Sequence, residues 1–251
     1  MADIFGEQLS AWREYTETPW ARIRYEVVGE ILQRHVAALG QSLRVLDVGG
    51  GDGMDALPLA VSGHDVTIVD PSDVWLEEAN RRADAAGVAV KTVRAGLESL
   101  PSGEWDVVLC HFVLRYRPAG AGDVAALAHR VRPGGLLSVM DVNPAGRMLR
   151  ALVNQGPGAA LAELNAERAE VEIFSTDARK VEMREIRGQA ETLGMTTLGN
   201  YGNRIANDLI VDEDAKHDAT YFAELLKLEH ELCDRDPYKS AGFAWQLVLQ
   251  R

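Results

Sequence analysis

The feature that most constrains this chain is a short apolar run, residues 43–48, followed at once by Gly49, Gly50, Gly51, Asp52 and Gly53. Such a run, closed off by glycines, reads as a buried parallel strand. A helical stretch follows from Met54. Glycines at this place let the backbone turn sharply, take positive φ and approach a ligand with no Cβ in the way. A strand-to-helix turn also aims free backbone N–H groups at whatever sits beside it. The stretch therefore predicts a nucleotide-type site at the carboxyl end of the first strand of an α/β sheet.

The residues inside the turn narrow the ligand. A dinucleotide fingerprint G-x-G-x-x-G starting at Gly49 needs glycine at 54, where the chain has Met54. Present instead is an acid two residues before three alternating glycines: Asp47, then Gly49, Gly51 and Gly53. A carboxylate at a strand tip repels a pyrophosphate and suits a cation. The pattern resembles motif I of the class I S-adenosylmethionine (SAM)-dependent methyltransferases, whose cofactor carries a sulfonium and an amino group and no phosphate.

Alternating patterns run along the rest of the chain. Residues 5–18 read as an amphipathic helix or arm, and Thr18 and Pro19 open a second helix over about 20–39. On it, Arg22 and Arg24 fit a solvated face, and Arg24 equally fits a contact to the carboxylate of an amino-acid cofactor. Residues 54–61 form a short helix, and 65–69 a second strand ending in Asp70. An acid there, about twenty residues beyond the glycines, suits a ribose diol, as it would in a NAD site too. The structural alternative is a turn acid before Pro71. Residues 72–86 read as helix, 88–93 as strand, 105–110 as the fourth strand leading into His111, 122–131 as helix, and 136–140 as the fifth strand. Residues 143–178 are irregular, broken by Gly146, Gly156, Pro157 and Gly158 into short helical pieces, and predict a lid or acceptor wall. A helix over 179–193, a strand over 195–201, an acidic helix over 218–234 and a last strand over 243–249 complete the pattern.

The stretch 131–139, with Arg132, Pro133, Gly134 and Gly135, resembles the helix–turn–strand before the fifth strand of class I methyltransferases. That resemblance implies an α/β fold: a seven-stranded Rossmann-like methyltransferase sheet, mostly parallel with an antiparallel last strand, plus helical lid insertions. It divides the chain into an N-terminal helical cover, 1–40, and a SAM-binding domain, 41–251, with insertions at about 143–178 and 203–240. Within the family, the chain is similar to the branch that methylates the carboxymethoxyuridine of tRNA. Arg24, residues 45–51, Asp70, His111, residues 143–146, 202–204, 228–229 and 236–238 carry that similarity.

By this resemblance Arg24 grips the SAM carboxylate, Gly49 and Gly50 hold the methionine moiety, Asp70 holds the ribose, and Asp47 and Gly51 are further cofactor-binding residues. Gly96 and Leu97 frame the adenine, and His111 touches the cofactor and is the candidate catalytic residue. The chain departs from the branch in two places. The insertion after the fifth strand lacks a lysine-rich stretch, having Glu163, Glu167, Glu170 and Glu172 there, and Arg115 and Tyr116 replace an acid and a tryptophan.

Charge bears on the acceptor. The formal charge is −12 over 251 residues, whereas nucleic-acid binders usually carry a net basic character or a dense basic face. Arg115, Tyr116, Asn143, Arg147, Tyr201 and Arg204 are the expected acceptor residues, and their arginines suit an anion. The expected acceptor is thus a small, carboxylate-bearing metabolite, with tRNA as the alternative and a non-catalytic SAM-binding protein as a third reading. Cys110 and Cys233 show no metal spacing, and no apolar run is long enough for a membrane span. A cytoplasmic enzyme without disulfides or metal is expected.

Overall fold

The computed structural model describes residues 8–120, 122–171, 174 and 176–251. Helix α1 (Leu9–Thr16) buries only Thr16 and leads into α2 (Pro19–Val36). Thr18 caps α2, its side chain accepting the Ala21 N–H at 3.3 Å, with Pro19 in the first turn where no N–H is needed. Ile23, Val27, Val28, Ile31 and Leu32 form the apolar stripe of α2, as their helical spacing predicts. Residues 5–7 of the predicted arm lie outside the described residues.

Seven strands form one sheet. In chain order they are β1 (Arg44–Val48), β2 (Asp65–Asp70), β3 (Lys91–Arg94), β4 (Trp105–His111), β5 (Val131–Val142), then β8 (Thr196–Asn203) and β9 (Ala244–Gln250). A two-stranded hairpin, β6 (Arg168–Val171) and β7 (Thr176–Arg179), stands apart. The main sheet runs β3-β2-β1-β4-β5-β9-β8. The pairs from β3 to β5 are parallel, and β9 lies antiparallel between β5 and β8. This is the predicted sheet, antiparallel last strand included. One face is covered by α2, α3 (Leu57–Val61) and α4 (Asp73–Ala85), which meet Val45, Val66, Ile68, Val107 and Leu109. The other is covered by α5 (Asp123–Ala128) and α8 (Met183–Thr192), which bury Val124, Leu127, Ile186 and Ala190 against Leu46, Val108 and Leu137.

Three expectations change. Strand β5 begins at Val131, not at 136: Val131 pairs with Trp105, and after a register shift Leu136 pairs with Val107. Pro133, Gly134 and Gly135 therefore make an irregularity inside a continuing strand. A Cβ at Gly135 would stand 2.7 Å from the Asp106 carbonyl oxygen. Second, residues 143–178 are not all short helical pieces. Helices α6 (Pro144–Gln155) and α7 (Pro157–Asn165) are followed by the β6–β7 hairpin, whose buried residues are Ala169 and Ala178. One small apolar residue per strand is too weak a period-2 signal to read. Third, because Arg179 ends β7, α8 starts at Met183. The last helix, α9 (Ala219–Leu232), is capped by Asp218, which accepts the Thr220 and Tyr221 N–H groups.

Candidate active site

The strand order reverses between β1 and β4, so the connections leaving β1 and β4 diverge to opposite halves of the sheet and open a crevice at the strands' carboxyl ends. The crevice is a cleft of about 1890 Å³. Small-ligand pockets span roughly 300–1,000 Å³, so this cleft has room for two ligands side by side.

One arm is built on the glycine turn. Gly49 (φ 67°) and Gly50 both donate to the Val69 carbonyl, at 2.7 and 3.1 Å, tying the turn to β2. A Cβ on Gly49 would run into Val113, and one on Gly50 would land on the Asp47 carboxylate. Gly51 N–H donates to Asp70 Oδ2 at 3.1 Å, and Ser72 N–H to Asp70 Oδ1 at 2.9 Å. These two bonds orient the carboxylate at the tip of β2. Gly96, Leu97 and Glu98 close this arm beside β3.

The arm is rich in acids. Asp47 is 2% exposed, and its Oδ2 has no hydrogen-bond partner among the described residues. Burial, with the neighbouring Asp55 charge, pushes its carboxyl well above the usual range. Asp52 accepts the Trp12 indole N–H at 2.9 Å, which seats α1 over the cleft, and burial raises its carboxyl too, against the pull of Arg82. Trp12 also meets Trp75 edge-on, with ring centroids 5.7 Å apart.

Asp55 is different, and the sequence reading missed it. Both of its oxygens accept from Arg24, at 2.6 and 2.5 Å, and Oδ2 also takes His111 Nδ1 at 2.9 Å. Burial alone would raise its carboxyl; the Arg24 guanidinium and His111 reverse that and hold it well below the usual range. The other ring nitrogen of His111 meets Ser138 Oγ at 2.9 Å. Both nitrogens of the candidate catalytic residue are thus engaged within the protein.

The second arm runs beneath α6, α7 and β6. Arg115, Tyr116, Arg147 and Arg204, four of the expected acceptor residues, line it. Arg147 pairs with Glu163 through two hydrogen bonds of 3.0 and 3.1 Å, and Arg204 pairs with Asp208 at 2.8 and 2.7 Å. Arg204 has φ 56° and lies over the Phe243 ring at 4.3 Å. The fully buried Glu229 holds the strained segment by accepting the Ile205 and Asn207 N–H groups at 2.8 Å. Arg115 is only 7% exposed, stands 3.9 Å from Asp141, and its Nε has no hydrogen-bond partner among the described residues.

Two expected acceptor residues are elsewhere. Asn143 caps α6 and donates to the Ser240 and Gly242 carbonyls, both at 2.9 Å, so it ties the lid to the chain before β9. Tyr201 is buried against α2 and α9, with its hydroxyl 2.6 Å from His35 Nε2. A polar residue near a strand end does not reveal from sequence which side of the strand it serves.

Residues 45–135 match a family model described as a methyltransferase domain. The chain is a SAM-dependent methyltransferase. The enzyme is 28% identical over 250 residues to the tRNA 5-carboxymethoxyuridine methyltransferase of Escherichia coli K12, covering 96% of this chain and 92% of that one. It is 30% identical over 132 residues to a ubiquinone biosynthesis O-methyltransferase of Rickettsia canadensis, about half of each chain (52% and 54%). In fold it is similar to the magnesium protoporphyrin IX methyltransferase of Synechocystis PCC 6803 with bound SAH, with TM-score 0.64, 17% identity and 97% and 93% of the two chains covered.

The enzyme's methyl donor is SAM. In the first arm, the missing Cβ atoms of Gly49 and Gly50 leave room for Val113 and the Asp47 carboxylate beside the turn, and Asp47, Asp52, Asp55 and Asp70 line the cleft there. Among the described residues, no group of three or more histidine, cysteine or carboxylate side chains is placed to hold a metal, and no helix is long and apolar enough to cross a membrane.

Proposed function

We propose that the enzyme transfers the SAM methyl group to a small acceptor bearing a carboxylate. The observation that carries this reading is Arg115: a guanidinium inside the second arm, nearly buried, with Nε unpartnered among the described residues and its nearest carboxylate only loosely placed. Burial also lifts the carboxyl of that neighbour, Asp141, to about 6, and its oxygens are already taken by the Arg115 and Val142 backbone N–H groups. An acceptor carboxylate would give Arg115 the charge-assisted partner it lacks.

Bound SAM supplies a methyl group already activated by its positive sulfur. What remains for the chain is to hold, aim and dry. We assign Arg24 to the donor carboxylate, Gly49, Gly50 and Gly51 to the methionine end, Asp70 to the ribose, and Gly96 and Leu97 to the adenine. Positioning of this kind is worth roughly 7–11 kcal/mol of barrier. His111, with both ring nitrogens occupied, positions its neighbours rather than taking a proton. A carboxylate, being ionised already, needs no base.

A second reading is favoured by one finding, the similarity over nearly the whole chain to a protein that acts on tRNA. Against it stand the charge of −12 and the acidic lid. A protein neutralising 6–10 phosphates loses about 10³–10⁵ in affinity between 50 and 200 mM salt.

Labelled methyl transfer from SAM to a metabolite extract and to bulk tRNA, each at both salt concentrations, tests the choice. Salt-insensitive transfer to carboxylates supports the proposal. Transfer only to tRNA, lost at the higher salt, refutes it. Calorimetry with SAM, its demethylated form S-adenosylhomocysteine (SAH) and NAD checks the donor.

A further inference from the structure

Behind the donor arm, a line of buried polar side chains crosses the face of the sheet that α2 covers. Asp55 takes His111 Nδ1, His111 Nε2 faces Ser138 Oγ at 2.9 Å, and Gln246 Nε2 donates to Ser138 Oγ at 2.9 Å. Ser138 is 1% exposed and Gln246 fully buried. Their neighbours along the same face of β5 and β9 are Leu136, Met140, Ala244 and Val248, all apolar. Apolar residues at 138 and 246 would suit that surface, and polar groups there are costly unless bonded. The two are therefore placed for what they bond.

The direction of the hydrogens follows from the carboxylate end. An ionised Asp55 only accepts, so His111 must carry its proton on Nδ1. A neutral ring then has a bare Nε2, which needs a donor, and the Ser138 hydroxyl is the group in reach. Having spent its one proton on His111, Ser138 needs a donor for itself, and the Gln246 amide N–H₂ supplies it. Every hydrogen in the line points toward Asp55, as do the two from Arg24. The opposite arrangement would turn the Gln246 oxygen to Ser138 and require Nε2–H. His111 would then be an imidazolium, a second buried cation beside an Asp55 that Arg24 already neutralises. The Arg24 backbone is fixed from another side, its carbonyl accepting Asn203 Nδ2 at 3.2 Å.

We propose that Ser138 and Gln246 are positioning residues of the donor site: they hold His111 as the neutral Nδ1–H tautomer, so that Asp55 stays in register to aim Arg24. This rests on the reading of the first arm as the SAM site. Gln246→Glu tests it, because a carboxylate at 246 takes the Ser138 proton and forces His111 to donate from Nε2.

The experiment is ¹⁵N NMR of the His111 ring in the ligand-free full chain, paired with calorimetry of SAH binding. The unaltered protein is expected to show a protonated Nδ1 and a bare Nε2. Gln246→Glu is expected to show Nε2 protonated and SAH binding weakened about tenfold, the loss of one well-placed hydrogen bond. Ser138→Ala, which removes one oxygen and is the gentler change, is expected to weaken SAH to a similar degree. A protonated Nε2 in the unaltered protein, or SAH affinity unmoved in both variants, overturns the proposal. If the unaltered protein binds no SAH, the donor reading itself falls and takes the role with it, while the tautomer remains visible by NMR.

Discussion

Replacing Asp55 by asparagine isolates the charge that everything at the donor end leans on. The side chain keeps its size, and its remaining oxygen can still accept from His111. The amide N–H₂, however, now faces an Arg24 guanidinium that had both carboxylate oxygens within 2.6 Å. That guanidinium side chain is 8% exposed and cannot swing into water without leaving its place. Breaking a buried pair by neutralising one partner costs about 3–5 kcal/mol. For a chain of this length each kcal/mol lowers the melting temperature by roughly 2–4 °C, so a fall of about 6–20 °C is expected. The double variant Arg24→Met with Asp55→Asn removes both charges, leaves His111 an acceptor, and is expected to return to within about 1 kcal/mol of the unaltered protein. SAH affinity should not return with it, because the cation proposed to meet the donor is gone. Thermal unfolding at pH 7 and calorimetry with SAH make the two comparisons. Asp55→Asn costing less than about 1 kcal/mol, or a double variant no more stable than the single one, would refute the argument that this pair is held out of water.

Three further outcomes are expected. Arg115→Ala should leave SAH binding within about twofold and raise the KM for a carboxylate acceptor by roughly 10–100-fold, the loss of a hydrogen bond to a charged group; steady-state kinetics read both. Gly146→Ala puts a Cβ 2.8 Å from the Cα of Phe243 and closer still to the Gly242 carbonyl. Backbone cannot give way there as a side chain can, so urea unfolding should show a loss of about 1–3 kcal/mol. Asp141 has its carboxyl raised to about 6 by burial, against Arg115 and two backbone N–H groups. The folded state then binds more protons than the unfolded one between about pH 4 and 6, so this group's contribution falls as pH rises through that window and is level above it. Asp141→Asn should remove that fall, and the stability gap between the two proteins, followed by urea unfolding from pH 4 to 7, should shift by about 2 kcal/mol in favour of the variant.

The glycine turn and its neighbours were legible in the sequence because their constraints are local. A strand of five residues, three glycines that need room or positive φ, and an acid at the next strand tip are each visible within a few positions. The antiparallel last strand followed from the resemblance to class I methyltransferases. The line from Asp55 to Gln246 was not legible, since its members sit 56, 27 and 108 positions apart along the chain and meet only once β4, β5 and β9 lie side by side. Arg147 and Arg204, expected at the acceptor, line the cleft, but nothing nearby announced Glu163 as a partner 16 residues away. Tyr201 misled because β8 sits at the sheet's edge, where a residue on the α2 side faces a helix and not the crevice. Asn143, Pro144, Ala145 and Gly146 form a joint: a cap, a helix start and a close approach to Gly242.

Strand β9 has a consequence for how the molecule would come apart. It is zipped on one side to β5 and on the other to β8, with seven paired positions on each. One exposed stretch before it is 211–214, ahead of α9. A protease cutting there would part the chain in two without parting the molecule, because the smaller piece carries the strand that both halves of the larger one grip. The nicked enzyme should travel as a single body until denaturant draws that strand out, like a wedge whose removal frees the stones on either side.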